Sequence, residues 1–268
     1  MAILKNHRLE YEVGQIDVTY PSNDKESYFG SVPIIVPNNW TPGPAKPVKG
    51  TLIELDGKQY RVLKVTGSVA EVLAMYDAAS SVEFDSDPRD YNNSYVGKNI
   101  DTYCNNAFYS GLPASIKSAI VDKTFTQDSW KNDSSASTAA HYTGKSGSGS
   151  TYYLTLTNAT YGEPITRHCY VLSVQDVLDY LDATTSMSIS DTTLTNVNLW
   201  KMFWNQTTSP GATLAAGLWL QSADSDRAAT AIYVNEQLGD LDIDDVSFDK
   251  MVHPAFQIDL SKVDFKVV

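Results

Sequence analysis

Short apolar runs separated by turn residues dominate the chain after Gly50. The first two runs, in TLIEL and KQYRVLKV, flank Asp56-Gly57, a dipeptide typical of tight β-hairpin turns. GSVAEVLAMYD, which begins at Gly67, has the composition of a third strand. The pattern therefore predicts three consecutive strands at the start of a folded domain.

Three later segments have the spacing of short helices. NIDTYCNNAFY repeats apolar residues at helical intervals, and GLPASIKSAI begins a second helix in which Pro113 is tolerated in the first turn. In VLSVQDVLDYL, Ser173 precedes the apolar run and Asp176 follows three residues later, a capping signature. NLWKMFWNQ is rich in aromatic residues, but its pattern favours no single secondary structure.

The remaining apolar runs predict more strands. TYYLTLT has a strand pattern, and GLWLQSADSDRAATAIYV predicts a strand, an exposed turn and a strand, with Trp219 and Leu220 facing a core. VHPAFQIDLSKVDFKVV predicts one or two strands, and the Ser- and Gly-rich SSASTAAHYTGKSGSGS indicates a loop or hairpin tip. Strands outnumber helices, and the helices are grouped between strand runs. The predicted fold class is therefore α+β.

Residues 1–50 differ in composition from the rest of the chain. VPIIVPNNWTPGPAKPVKG holds five prolines, which fix φ, lack an amide donor and favour extended geometry in the preceding residue. We expect an extended arm over residues 1–50, with PIIV pairing at a sheet edge, and one folded domain over residues 51–268. The arm is either a linker or an anchor across a neighbouring subunit, and its candidate anchoring residues are Ile34, Ile35 and Trp40.

The composition limits the classes of partner. The chain has 268 residues and 42% of them are hydrophobic, enough for a sizeable core. Lys and Arg number 20 against 32 Asp and Glu, so the net charge is −12 and a nucleic-acid backbone would be repelled. No apolar run approaches the roughly 18 residues of a membrane-spanning helix. MAILKNHRLEYEVGQ lacks the apolar core of a secretory signal, so we expect the chain to stay in a cytoplasm or leave it by lysis.

Five segments follow one another in an order typical of one protein family: DGKQYRVLKV, IDTYCNNAFYSGLPASIKSAI, HCYVLSVQDVLDYL, GLWLQSADSDRAATAIYV and MVHPAFQIDL. Together they resemble a domain family of unknown function that is common in Gram-positive bacteria and their phages. The resemblance covers residues 50–268 and implies a C-type lectin-like fold, shared with formylglycine-generating enzymes and phage tropism proteins. We therefore expect an α+β, C-type lectin-like domain with mixed and antiparallel sheets and two or three short helices.

The chain departs from the usual signatures of that family, a Gly-Trp-Trp-Leu-Arg-Ser segment and a later Val-Arg-Pro-Ala segment. Leu218 stands where the first Trp is usual, and Gln221 and His253 stand where the two arginines are usual. Whatever those arginines do in relatives is therefore done differently here, or not at all.

The two cysteines argue against an enzyme of the formylglycine-generating type. Those enzymes use a cysteine pair close together, whereas Cys104 and Cys169 are far apart in the sequence. Cys104 lies within a predicted helix among apolar residues, a setting that raises a thiol pKa. Adjacent residues on a strand point to opposite faces, so His168 would not activate Cys169. Both cysteines are predicted to be buried structural residues in a reducing compartment.

The acidic run DLDIDD is the candidate metal site. Asp240, Asp242 and Asp244 match the first three ligand positions of a calcium loop, but Asp245 and Met251 stand where Gly and Glu are required. The apolar residues between the carboxylates favour instead a strand with one acidic face. Ca²⁺ is the one cofactor that this pattern suggests, and no cofactor is the alternative that we prefer.

Two groups of residues are candidates for ligand binding. Trp200 and Trp204 are four residues apart, so on a helix they share a face that, with Asn205, offers a stacking platform for a sugar ring. Core packing is the alternative for the two Trp side chains. The SADSDRA turn is either simply solvated or a contact to a partner, and its candidate residues are Asp224, Asp226 and Arg227.

Three classes of function remain. The first is a non-enzymatic structural protein of a phage particle, a capsid decoration, head fibre or tail component that assembles in the host cytoplasm. It would contact other virion proteins through the arm, form a homo-oligomer and adhere to a host-surface glycan. The second class is a glycan- or cell-wall-binding module outside a virion. The third, disfavoured by the cysteines, is an enzyme of the formylglycine-generating type. We expect the first.

Overall fold

The computed structural model describes residues 47–76, 79–87, 93–133, 142–145, 151–182, 196–206, 217–235 and 239–268. All of these residues belong to the unit that spans Gly43–Val268. The predicted arm, with the candidate anchoring residues Ile34, Ile35 and Trp40, lies outside the described residues as far as residue 46. None of the described helices is long and apolar enough to span a bilayer.

Six antiparallel strands form the first sheet. In spatial order they are β14 (Lys266–Val267), β1 (Leu52–Leu55), β2 (Lys58–Thr66), β3 (Val69–Ala74), β13 (Ala255–Asp259) and β5 (Ile120–Val121). The predicted Asp56-Gly57 hairpin joins β1 to β2, and its two residues have φ values of 50° and 75°. Positive φ at both positions is what a two-residue hairpin loop of this type requires.

The second sheet is mixed. Its strands, in spatial order, are β11 (Asp240–Asp245), β10 (Thr230–Asn235), β9 (Leu218–Asp224), β6 (Lys123–Asp133), β8 (Thr151–Arg167) and β7 (Tyr142–Lys145). The two remaining strands, β12 (Asp249–Val252) and β4 (Ala79–Glu83), pair with each other, and β12 also pairs with β9. Both β6 and β12 run parallel to β9.

The helices are short. A continuous helical segment consists of α1 (Asn99–Thr102), a π-helical turn (Tyr103–Phe108) and α2 (Tyr109–Gly111), where a helix is predicted. The other two predicted helices are also present, as α3 (Ala114–Ala119) and α4 (Val174–Tyr180). Helix α5 (Asn196–Trp204) occupies the aromatic segment whose pattern favoured no structure, and a 3-10 turn spans Leu260–Lys262.

Strand β9 lies between two hydrophobic cores. Trp219 belongs to the first core, which includes Tyr60, Phe256 and the helical segment after residue 99, while Leu218 and Leu220 belong to the second core, against α4 and α5. Successive side chains on a strand point to opposite faces, so β9 supplies both cores. The predicted burial of Trp219 and Leu220 is confirmed, although the two side chains face opposite cores.

The predicted fold class is wrong. The described residues form two large sheets, one antiparallel and one mixed, with few and short helices, and nothing in this architecture shows a C-type lectin-like fold. The helical patterns were correct individually, but the helices are too short to form a layer equal to the sheets. The order of segments along a chain does not determine which strands pair, because pairing depends on contacts between distant residues.

Candidate ligand-binding groove

A groove of about 730 Å³ opens on one face of the first sheet. The pairing register across strands β2, β3, β13 and β5 places four of its lining residues side by side: Lys64, Glu71, Gln257 and Val121. Residues directly opposite each other on paired strands share a face of the sheet. The floor of the groove is therefore a row of side chains held by strand register.

Helix α4 forms a wall of the groove and contributes Asp176, Asp179 and Tyr180. The predicted capping box fixes its start, because Asp176 N donates to Ser173 Oγ at 3.0 Å and Ser173 N donates to Asp176 Oδ2 at 2.9 Å. These two bonds satisfy amides that a helix leaves without intrahelical partners. Asp176 thus has two roles, as the helix cap and as part of the groove.

A second set of bonds ties α4 to the second sheet. The buried carboxylate of Asp128, on β6, accepts hydrogen bonds from Gln175 N at 3.3 Å and from Trp130 Nε1 at 2.9 Å. Ser222 Oγ also donates to Asp128 and accepts a bond from Val174 N at 2.8 Å. Burial raises the pKa of Asp128 to about 6, although the bonds from Ser222 and Trp130 oppose the rise. The wall of the groove is thereby attached to the core behind it.

Lys123 joins the wall to the floor. Its Nζ lies 2.8 Å from Glu71 Oε1, 3.2 Å from Asp176 Oδ1 and 4.4 Å from the centre of the Tyr170 ring. Burial lowers the pKa of Lys123, but the attraction of Asp176 and Glu71 outweighs it and the net shift is upward. The Tyr170 hydroxyl donates to Glu71, and burial raises the pKa of Tyr170 well above its usual value. The cluster therefore holds an ammonium, two acidic side chains and a neutral phenol.

Lys49 lies near the C-terminal end of α4. Its Nζ is 2.5 Å from Asp182 Oδ1, donates to Asp179 O at 3.4 Å, and lies 5.5 Å from the centre of the Tyr180 ring. A cation is favoured at this end of a helix because the last carbonyls carry partial negative charge. Lys49 therefore links the segment before β1 to the helix wall.

Equal numbers of positively and negatively charged side chains line the groove, and a second cavity lies beside it. Three ammonium and three carboxylate side chains line the groove: Lys49, Lys64, Lys123, Glu71, Asp176 and Asp179. A second cavity of about 390 Å³ shares Lys49, Leu63 and Lys64 with the first, so the two cavities adjoin at these residues. Within the described ranges, the side chains of Lys64 and Gln257 make no ion pair or hydrogen bond.

The predicted aromatic platform lies on α5, away from the groove. Trp200 and Trp204 share the helix, as their spacing predicts. Trp204 is partly buried against the second core, with its ring centre 5.8 Å from that of Phe203 and 6.3 Å from that of His253. The structure therefore places Trp204 in a packing environment.

Asn205 ends helix α5. Its φ is +56°, and its Oδ1 accepts a hydrogen bond from Arg61 Nη2 at 2.7 Å. Arg61 is buried, and it also donates from Nε to Met202 O at 3.1 Å and from Nη1 to Gly50 O at 3.0 Å. Asn is among the residues that tolerate a positive φ after a helix. Asn205 thus connects the helix end to β2 through Arg61.

The predicted β9–β10 turn is held from inside by Asn93. Asn93 Nδ2 donates to the backbone oxygens of Asp224, Arg227 and Thr230 at 2.7, 3.1 and 2.8 Å. The buried carboxylate of Asp224 accepts bonds from Thr230 Oγ1 at 2.6 Å and Asp226 N at 3.0 Å. Asp224 therefore shapes the turn, and the side chains of Asp226 and Arg227 are exposed on it.

The acidic run forms edge strand β11, and Asp240, Asp242 and Asp244 alternate along it, so they share one face. Asp244 Oδ2 lies 2.7 Å from Lys250 Nζ, and Asp242 Oδ2 accepts a bond from Tyr233 Oη at 3.3 Å. Among the described residues, no group of three or more His, Cys, Asp or Glu side chains is arranged to hold a metal ion. The strand with one acidic face is the form that the structure shows.

Cys104 and Cys169 are free and buried, as predicted. Burial raises the pKa of both thiols. A thiol in such a setting has little of the thiolate form that acts as a nucleophile. His168 is exposed, whereas Cys169 is buried.

The groove is not among the predicted sites. None of the predicted site residues that the structure describes lines it. Lys64 and Glu71 interrupt predicted strands with charged side chains, which was a signal for a polar sheet face. The meeting of Lys123 with Glu71 and Asp176 had no such signal, because these residues lie on β6, β3 and α4 and meet only after folding.

Comparison with protein families matches residues 71–260 to a domain of unknown function, DUF6273. Comparisons with curated proteins and with solved structures found no match. The matched region includes Glu71, Lys123, Asp176 and Gln257, and it excludes Lys49 and Lys64 at the other side of the groove. Since the match spans more than half of the chain, the chain belongs to the DUF6273 family of domains of unknown function.

Proposed function

We propose that this chain is a non-catalytic structural protein of a bacteriophage particle, and that it attaches the particle to a host surface by binding a ligand in the groove. The groove carries the proposal. Its volume of about 730 Å³ is within the range of roughly 300–1,000 Å³ found for ligand sites. Its wall is fixed by the bonds of Ser173, Asp176 and Asp128, so the site is formed before a ligand arrives.

The chemistry of the groove supports binding over catalysis. The raised pKa of Lys123 keeps its amine protonated, and a protonated amine has no free electron pair for nucleophilic attack. Glu71 and Asp176 are both within ion-pair distance of that ammonium. The two thiols, which the formylglycine-generating alternative would need, are buried outside the groove lining.

Two features of the sequence support a location on a phage particle. One is the resemblance to a family common in Gram-positive bacteria and their phages, and the other is the proline-rich arm. We expect the arm to dock the domain on other virion proteins, with Ile34, Ile35 and Trp40 as contacts. The test uses the full chain with Ile34→Asp, Ile35→Asp and Trp40→Ala combined. Particles from the producing cells are purified and examined by mass spectrometry.

The unaltered chain is expected in purified particles and the altered chain in the soluble fraction, with the same melting temperature. A chain with Lys58→Ala, an exposed change on β2, is the control and is expected in the particles. Absence of the unaltered chain from particles, with recovery on the bacterial surface, would favour the second candidate, a cell-wall-binding module outside a virion. Light scattering of the isolated chain measures the homo-oligomer that a repeated particle subunit is expected to form.

A further inference from the structure

We infer that the groove binds an uncharged, linear carbohydrate chain that lies across the face of the first sheet and contacts Lys64 and Gln257. This inference rests on the proposed binding function and specifies its ligand. It depends on the shape of the groove, on its charge balance and on the pairing of the strands beneath it.

The shape favours a chain over a compact molecule. The cavities of about 730 and 390 Å³ adjoin at Lys49, Leu63 and Lys64, so a ligand that occupies both must be extended. Lys64 lies at their junction, and its ammonium has no ion-pair partner among the described residues. A ligand that passes this junction would therefore reach an available hydrogen-bond donor.

The charges favour an uncharged ligand. Three ammonium groups and three carboxylates line the groove, and Lys123 is already held between Glu71 and Asp176. Lys49 is also paired with a fourth carboxylate, that of Asp182, beside the groove. A polyanion would be attracted by the Lys64 ammonium but repelled by the carboxylates of the same groove. A polycation would be attracted by those carboxylates but repelled by the ammonium groups. Uncharged hydroxyl groups can donate to carboxylates and accept from ammonium and amide groups, so they fit both.

The available side chains match the two kinds of surface on a sugar ring. The Lys64 ammonium, the Gln257 amide and the Thr66 hydroxyl offer hydrogen bonds to ring hydroxyls. Leu63, Val69 and Val121 line the same groove and offer apolar contact to ring C–H groups. Small-ligand sites typically combine an apolar lining with a few polar groups in this way.

Strand pairing argues against an extended peptide as the ligand. Peptides that bind along sheets usually add a strand to an open edge, where backbone amides and carbonyls are free. The groove floor is built mainly on β2, β3 and β13, which are interior strands of the first sheet, with partners on both sides. Recognition in this groove must therefore come from side chains.

The experiment uses the full chain on an array of linear, uncharged hexose and N-acetylhexosamine oligosaccharides, with polyol-phosphate oligomers and unrelated peptides as further arms, each with and without calcium. Hits are titrated by calorimetry against Lys64→Ala and Gln257→Ala. Lys58→Ala and Gln59→Ala are matched controls, because both residues are exposed on β2 outside the groove. We expect each groove variant to weaken binding of an uncharged oligosaccharide by about 5-fold, the size of one lost hydrogen bond, and the controls to bind unchanged.

The outcomes separate the ligand class from the binding function. Binding of only the polyol-phosphate or the peptide arm, lost in the groove variants, would overturn the carbohydrate inference and leave groove binding intact. Equal binding by all four variants and the unaltered chain would place the ligand outside the groove. That result would overturn both the carbohydrate inference and the proposal that the groove binds a ligand. Binding to nothing on the array would overturn the inference, while association with particles would still test the proposed structural role.

Discussion

Lys250 and Tyr233 form a buried cation–π pair in which Nζ lies 3.7 Å from the centre of the ring. The same Nζ lies 2.7 Å from Asp244 Oδ2, on the neighbouring strand β11. The acidic face of β11 is therefore turned toward a buried cation of the protein itself. This arrangement gives an internal role to a residue that the sequence pattern offers as a metal ligand.

Replacing Lys250 tests that role. Lys250→Met keeps most of the side-chain volume but leaves the Asp244 carboxylate without this cation, and we expect the free energy of unfolding to fall by about 2–3 kcal/mol. Asp244 is 28% exposed, so the loss is smaller than for a fully buried pair. Urea denaturation of Lys250→Met, Asp244→Asn and the double variant measures the coupling between the two residues. A coupling within error of zero would show that the pair contributes nothing to stability.

Asp128 makes stability depend on pH. Its pKa rises from 3.8 to about 6 on folding, so the folded state binds the proton more tightly than the unfolded chain. The stabilising contribution of this proton is present below about pH 4 and is lost as the pH rises through about 6, with a total of about 3 kcal/mol. Asp128→Asn removes the titration and can keep the bond from Trp130.

Denaturation of the unaltered protein and of Asp128→Asn at several pH values isolates the effect of Asp128, since the other carboxylates are common to both proteins. Relative to the unaltered protein, the Asn variant should gain stability as the pH rises from about 4 to about 6. Parallel pH profiles would contradict the raised pKa. Asp226→Asn, at an exposed turn position, serves as the control and should leave the profile unchanged.

Gly217 is required where β9 begins. Its φ is +117°, and a Cβ there would lie 2.7 Å from both Tyr233 Cε2 and the backbone oxygen of Val234. We expect Gly217→Ala to lower the free energy of unfolding by more than about 3 kcal/mol, because it combines backbone strain with a clash against backbone. Gly67→Ala is the matched control. Gly67 has φ +64° and open space around it, so about 1–2 kcal/mol of strain is expected.

The thiols should be unreactive in the native protein. Burial raises the pKa of Cys104 and Cys169, so little thiolate forms and reagents cannot reach it. We expect slow labelling by iodoacetamide at mildly alkaline pH and complete labelling of both residues in guanidinium chloride, read by mass spectrometry. Fast labelling of one cysteine in the folded protein would place that thiol in an accessible site and reopen the enzymatic alternative.

Much of the local structure follows from short stretches of sequence. The Asp56-Gly57 turn, the Ser173–Asp176 cap and the burial of Trp219 were all predictable, because each depends on residues close in the chain or on hydrophobicity. Asn205 was not predictable in the same way. Its contact with Arg61 joins two elements far apart in the sequence, so its position at the end of α5 gave no indication of that partner.

By itself, the sequence determined where most strands and helices form, that both cysteines are buried and that the net charge is −12. Only the tertiary structure decided the pairing of the strands, the fold class and the meeting of Lys123 with Glu71 and Asp176. The physical reason is the range of the interactions. Turns and caps are satisfied by neighbouring residues, whereas sheet order and the groove depend on which distant strands and helices pack together.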